Sequence, residues 1–160
     1  MLSQVALGVS ADAQGMAEPK GIASGTVLAT LDGYLPVDFL EPGDRVVTRE
    51  GMRILRAVRV HRYSGLAVTI TASALGHDRP EHDLTLPADT RVLLRDWRAG
   101  ALYGSDQAMV PVSRLVDGEY IAETSVKSMR LYDLVFDTPQ VVYAEGVELC
   151  CDGVTAPAEA

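Results

Sequence analysis

An all-β fold is what this chain of 160 residues predicts, on three observations. Its apolar residues fall in short runs rich in Val, Ile and Thr, several of them alternating at period two. Turn-forming dipeptides recur at intervals of about 8–12 residues, the spacing of sandwiches and barrel-like folds. No helical pattern is sustained beyond about two turns, and no fixed-period repeat is present. The chain is 48% hydrophobic and 22% charged, enough apolar mass for one real core.

Thr26 to Leu31 reads as the first full strand. Asp32-Gly33 then closes a hairpin, because Gly accepts the positive φ of a tight turn. Tyr34 to Leu40 continues the alternation, and Pro42-Gly43-Asp44 turns the chain with φ preset by Pro. Arg45 to Glu50 is the next strand, closed by Gly51. Met52 to Ser64 carries Arg53, Arg56, Arg59 and Arg62 at every third position, yet Val58 to Tyr63 alternates at period two and reads as a strand. Its arginine stems either cover a sheet face or form a basic docking patch. Nine acids from Asp117 onward, against Lys127 and Arg130 alone, offer an intramolecular partner for that charge. Leu66 to Ala72, Arg91 to Asp96, Ala108 to Val112, Arg130 to Phe136 and Val141 to Leu149 complete the strands. Ala144-Glu145-Gly146 interrupts the last one as a turn or bulge. Asp96 to Gly100 and Tyr103 to Asp106 read as loops.

Net charge is −8 and the pI is near 4.8, an acidic balance that argues against nucleic acid as a partner. No apolar run reaches the roughly 18–20 residues of a membrane span. Residues 1–20 have a short apolar stretch, Val5 to Val9, without a basic start, and read as a flexible leader rather than a secretory signal. A cytoplasmic location is therefore favoured. Residues 154–160 read as a tail, leaving 21–153 as the domain.

Candidate chemistry is sparse. Cys150 and Cys151 are adjacent and staple no loop, and their acidic neighbours Glu148 and Asp152 supply no cation to activate a thiol. Gly76 to Asp83 is a polar loop whose His77, His82 and Asp83 are weak metal-ligand candidates, at a spacing that matches no compact helical pair. No serine lies in a Gly-x-Ser-x-Gly elbow, and no glycine-rich phosphate cradle is present. No cofactor is expected.

One segment is more specific. Gly25-Thr-Val-Leu-Ala-Thr-Leu-Asp-Gly-Tyr-Leu-Pro-Val-Asp-Phe-Leu-Glu-Pro-Gly-Asp-Arg-Val-Val-Thr-Arg-Glu-Gly51 resembles the opening block of the Hint (hedgehog/intein) domain, nearest to bacterial stand-alone members. Leu84-Thr-Leu-Pro-Ala-Asp-Thr-Arg-Val-Leu-Leu94 is similar to the second block. Leu134-Val-Phe-Asp-Thr-Pro-Gln-Val-Val-Tyr-Ala-Glu-Gly-Val-Glu148 is similar to the final one. The resemblance implies a compact, pseudo-symmetric β fold. In active members an opening Cys or Ser attacks the preceding carbonyl, and a second-block His protonates the leaving nitrogen. The positions matching the opening Cys, the second-block His and a final-block His are here Gly21, Thr90 and Gln140, none of which supplies a thiolate or proton shuttle near neutral pH. The resemblance thus implies a Hint-type scaffold with a degenerate site, acting as a structural or protein-binding module toward a partner the sequence does not name. Two alternatives stay open. Ser24 could serve as an oxygen nucleophile on the Ala23 carbonyl, making a self-processing domain, and the His77–His82 loop could bind metal.

Overall fold

The computed structural model describes residues 21–151; the expected leader, 1–20, and tail, 154–160, lie outside the described residues. Twelve strands run in chain order: β1 (Ile22–Ala23), β2 (Val27–Thr30), β3 (Gly33–Pro36), β4 (Arg45–Thr48), β5 (Gly51–Ile54), β6 (Ala57–Ile70), β7 (Leu84–Pro87), β8 (Arg91–Leu94), β9 (Ala108–Pro111), β10 (Ile121–Val135), β11 (Gln140–Ala144) and β12 (Val147–Cys151). One helix, α1 (Trp97–Tyr103), and two 3-10 turns, Val37–Phe39 and Val112–Leu115, complete the described elements. A four-stranded sheet has the order β1-β10-β6-β7. The larger sheet runs β3-β2-β4-β11-β12-β8-β9, with β5 paired to β4. All pairings are antiparallel.

The core follows the period-two pattern. Leu28, Val46, Val68, Ile70, Leu84, Leu86, Val92, Val142 and Leu149 are buried and contiguous, and Phe136 is the largest side chain fully enclosed. The Asp32-Gly33 hairpin forms as its dipeptide demands: Thr30 pairs with Gly33, and the Thr30 hydroxyl closes the turn on the Gly33 carbonyl at 2.7 Å. Glu145 and Gly146, both at positive φ, make the tight turn between β11 and β12.

The chain also repeats itself once. Pro36-Val37-Asp-Phe-Leu40-Glu-Pro-Gly43-Asp44 and Pro111-Val112-Ser-Arg-Leu115-Val-Asp-Gly118-Glu119 share a pattern, Pro-Val-x-x-Leu-x-x-Gly-acid. In each copy a strand ends at Pro, a 3-10 turn buries Val and Leu, and Gly takes positive φ. Each copy is joined to one of the two long strands by the chain that follows it. This is the internal symmetry of the fold, and its single unequal pair escapes a search for fixed periods.

Five sequence expectations are corrected. The alternation read over Tyr34–Leu40 is a strand only to Pro36, after which Val37–Phe39 is a 3-10 turn. Met52–Ser64 is not one strand: the chain turns at buried Leu55, and Arg56 starts the approach to β6. The separate runs 58–63 and 66–72 are one 14-residue strand, since Gly65 continues it at positive φ with Tyr63 folded over its open side. The partner strand β10 begins at Ile121, nine residues before the expected Arg130, because its middle is polar and exposed on both faces. Asp96–Tyr103 is a capped helix rather than a loop. The Asp96 carboxylate accepts from the Arg98 N–H at 2.9 Å, and Gly104 ends the helix in the left-handed region.

Candidate functional site

Strand register brings two of the three family positions together. Gln140 on β11 lies opposite Cys151 on β12, and β12 runs beside β8 with Leu149 opposite Val92. Thr90 stands immediately ahead of β8, where continuing that register by two residues leads to the level of Cys151. By register, Gln140 on β11, Cys151 on β12 and Thr90 beside the start of β8 thus fall in one row. Thr90 Oγ1 and Gln140 Oε1 are the buried side-chain oxygens without a hydrogen-bond partner among the described residues. Gln140 is only 3% exposed, and its Nε2 donates to Thr138 Oγ1 at 2.9 Å. An orphaned buried acceptor costs about 1–3 kcal/mol, so this row is a local liability that the rest of the core offsets. The two orphaned oxygens are acceptors, and neither a Thr nor a Gln side chain titrates near neutral pH.

Gly21 stands apart from that row, against β10. Its φ is +129°, and a Cβ placed on it would sit 2.9 Å from Leu131 Cβ and 3.1 Å from the Tyr132 backbone. The position lacks room for any side chain while the backbone stays as it is.

Ser24 follows β1 on an exposed bend. Its hydroxyl donates to Asp38 Oδ2, the Gly25 N–H donates to Asp38 Oδ1 at 2.6 Å, and Tyr132 Oη reaches Asp38 Oδ2 at 3.3 Å. Burial pushes the Asp38 carboxyl up. The Ser24 hydroxyl, the N–H groups of Gly25 and Asp38 and the Tyr132 hydroxyl outweigh it and hold the pKa below the ordinary value. A carboxylate so stabilised is a weak proton acceptor. Asp38 and Tyr132 carry no motif signal, since they meet Ser24 only through tertiary folding.

The histidine loop is rearranged relative to expectation. His77 is 96% exposed and touches only neighbouring Asp78, at 3.4 Å. Asp83 accepts from the Ala72 N–H at 2.9 Å and is not in the group of ligand atoms gathered at His82. His82 instead meets Glu145, Nδ1 to Oε1 at 3.0 Å, and Glu81 completes a set whose ligand atoms lie within 4.8 Å of one another. Glu145 Oε2 accepts from the Val27 N–H at 3.0 Å, so this buried carboxylate already ties β2 to the β11–β12 turn. The hydrogen bond and charge of Glu145 raise the His82 pKa, with smaller help from Glu81 and Asp83.

Cys150 and Cys151 form no disulfide, and as successive strand residues they face opposite sides of the sheet. The expectation that no cation lies near them is corrected: Arg91 Nη2 is 3.7 Å from Cys150 Sγ. Beside them, Glu148 is buried with its oxygens on Arg49 (2.5 Å) and Arg95 (2.7 Å).

Comparison with known proteins agrees with this architecture. No curated protein sequence matches the chain. Among solved structures, it is similar to a bacterial intein-like domain from Clostridium thermocellum, with a TM-score of 0.59 at 14% identity over 85% of this chain and 100% of that one. The AceL NrdHF class 3 split intein, in a splice-inactive variant, has a TM-score of 0.54 at 10% identity, covering 85% and 99%. The MchDnaB-1 intein has a TM-score of 0.53 at 13% identity, covering 80% and 98%. Identities this low show the shared fold alone. A family model described as the Hint domain matches residues 21–150, and the chain belongs to that family.

Proposed function

We propose that this Hint domain acts as a protein-binding module and carries no autoprocessing chemistry. The observation that carries the reading is Gly21: the place matching the family's nucleophile is closed by the Leu131 Cβ and the Tyr132 backbone. Thr90 and Gln140, at the places matching histidines, offer buried oxygens and no group that exchanges a proton near pH 7. Ser24 faces a carboxylate whose pKa is lowered, so its hydroxyl gains no general base from Asp38. The test is a fusion of one reporter domain ahead of Met1 and another behind Ala160, incubated with dithiothreitol. A single full-length band is expected, and a shorter product carrying either reporter overturns the reading.

A second reading, divalent-cation binding, is favoured by the meeting of Glu81, His82 and Glu145. Two carboxylates and an imidazole suit a borderline transition ion, with Glu145 giving up its bond to His82 on binding. Zinc titration by calorimetry decides it. Saturable one-to-one heat that His82→Ala abolishes supports the site, and heat unchanged by that variant refutes it.

A further inference from the structure

The long antiparallel pair of β6 and β10 is anchored in the core at both ends, by Ile70 and Ile121 and by Leu134 and Val135, and the charge on its exposed middle, the arm, is one-sided. Residues 57–66 and 124–132 contain Arg59, Arg62, Lys127 and Arg130 and not one Asp or Glu, in a chain with 22 acids against 14 Lys and Arg. Six arginines elsewhere find carboxylates: Arg45, Arg49, Arg53, Arg56, Arg95 and Arg98 each make an ion pair. The four cations of the arm make none among the described residues. The expected neutralisation by the acidic C-terminal part is realised at Arg56, through two 3.0 Å bonds to Asp137, and stops there. Beyond it, only Arg59 has a carboxylate in register, Asp133 across the ladder.

Arg62 lies directly opposite Arg130, an arrangement in which like charges repel across the strands. Arg62 turns to the Ser128 carbonyl and hydroxyl, and Arg130 stacks at 5.9 Å over Tyr132. Val60 and Leu66, about half exposed, flank Arg62 on the same face. Among the described residues the outer edge of β6 also lacks a partner strand over part of its length. β7 covers it only from Ala67 onward, so residues 57–66 have no strand against that side among the described residues. An open edge normally needs protection against pairing with another chain, and cationic side chains provide it against apolar or basic segments. The same side chains favour an acidic one.

We propose that this arm is the module's docking surface, and that its partner is an extended acidic polypeptide segment that adds as a strand beside β6. Carboxylates of the segment pair with Arg62 and Arg130, which share one face of the ladder, and on that same face Val60 and Leu66 hold its apolar side chains. This rests on the binding-module reading and names its partner class.

The test uses the full chain and a fluorescent peptide of five Glu-Thr repeats, followed by anisotropy. Saturable binding that weakens with salt is expected. The Arg62→Glu/Arg130→Glu double variant, checked for an unchanged thermal melt, is expected to lose at least about tenfold in affinity. Arg45→Glu, on the other sheet, is expected to bind as the parent does. A peptide N-methylated at alternate amides is expected to bind at least about tenfold more weakly, because one of its edges can no longer donate. Equal binding by the double variant, by the N-methylated peptide or by a Lys-Thr repeat overturns the proposal. So does tighter binding of duplex DNA than of the acidic peptide. Absence of binding overturns it too, yet leaves the broader reading standing wherever the reporter fusion stays intact.

Discussion

Placing a cysteine at Gly21, the position that the resemblance matches to the family's nucleophile, separates a merely missing side chain from a site that has closed. The structure supplies the magnitude. A non-glycine residue held at φ near +129° costs of order 1–3 kcal/mol. A Cβ at 2.9 Å from Leu131 Cβ and 3.1 Å from the Tyr132 backbone adds an overpacking cost of typically about 1–3 kcal/mol, because neither neighbour is a flexible side-chain end. The total is about 2–6 kcal/mol. At roughly 4 °C per kcal/mol for a domain of this size, the melting temperature falls by about 8–24 °C. Gly21→Ala carries the same Cβ and is expected to lose nearly as much, so the pair isolates the contribution of sulfur. Calorimetry or circular dichroism reads the melt, and intact mass after incubation with thiol reads the chemistry. A Gly21→Cys protein as stable as the parent within about 0.5 kcal/mol, or one that releases the segment ahead of residue 21, refutes the argument.

Three further outcomes follow from the same geometry. Thr90→Val keeps the shape and removes an orphaned hydroxyl, so stability is expected to hold or rise by up to about 1 kcal/mol in denaturant titration; a loss above that shows Thr90 Oγ1 to be engaged. Glu148→Ala strips the shared acceptor from Arg49 and Arg95. Both arginines are partly exposed and take up water, so the loss is expected near 2–3 kcal/mol rather than at the upper end for broken buried pairs, measured the same way. The His82 pKa is raised on folding, so the stability it contributes is complete below its ordinary value near 6.5 and disappears as pH rises through the folded value. The gap between parent and His82→Ala in denaturant midpoint is therefore expected to be larger at about pH 5.5 than at about pH 9.

The sequence carried the fold wherever one residue type forces one conformation. Asp32-Gly33 and Glu145-Gly146 turn as read, because Gly33 and Gly146 accept positive φ without cost, although Glu145 takes positive φ as well. Elements that depend on a partner were illegible. The middle of β10 is polar and exposed, and it is a strand through its pairing with β6, which is interrupted by one bulge between Val126 and Met129. Helix α1 has just seven residues with Gly100 inside, so its periodicity is faint, and the Asp96 cap and Gly104 stop were the available signals. At the site, resemblance located Gly21, Thr90 and Gln140, but only register shows Cys151 between two of them. The crowding at Gly21 needed β10 in place, and the Ser24–Asp38 and His82–Glu145 contacts span long sequence separations that no local motif marks.

The central claim is that the scaffold persists without its acyl-shift chemistry, and intact mass tests it most directly. Freshly purified full-length chain is weighed, then weighed again after a day alone, with a thiol reductant and with hydroxylamine, which cleaves thioesters and oxygen esters alike. The account predicts the full-length mass in every sample. Loss of the residues ahead of Ser24, accelerated by hydroxylamine, would show an ester at Ser24 and contradict it.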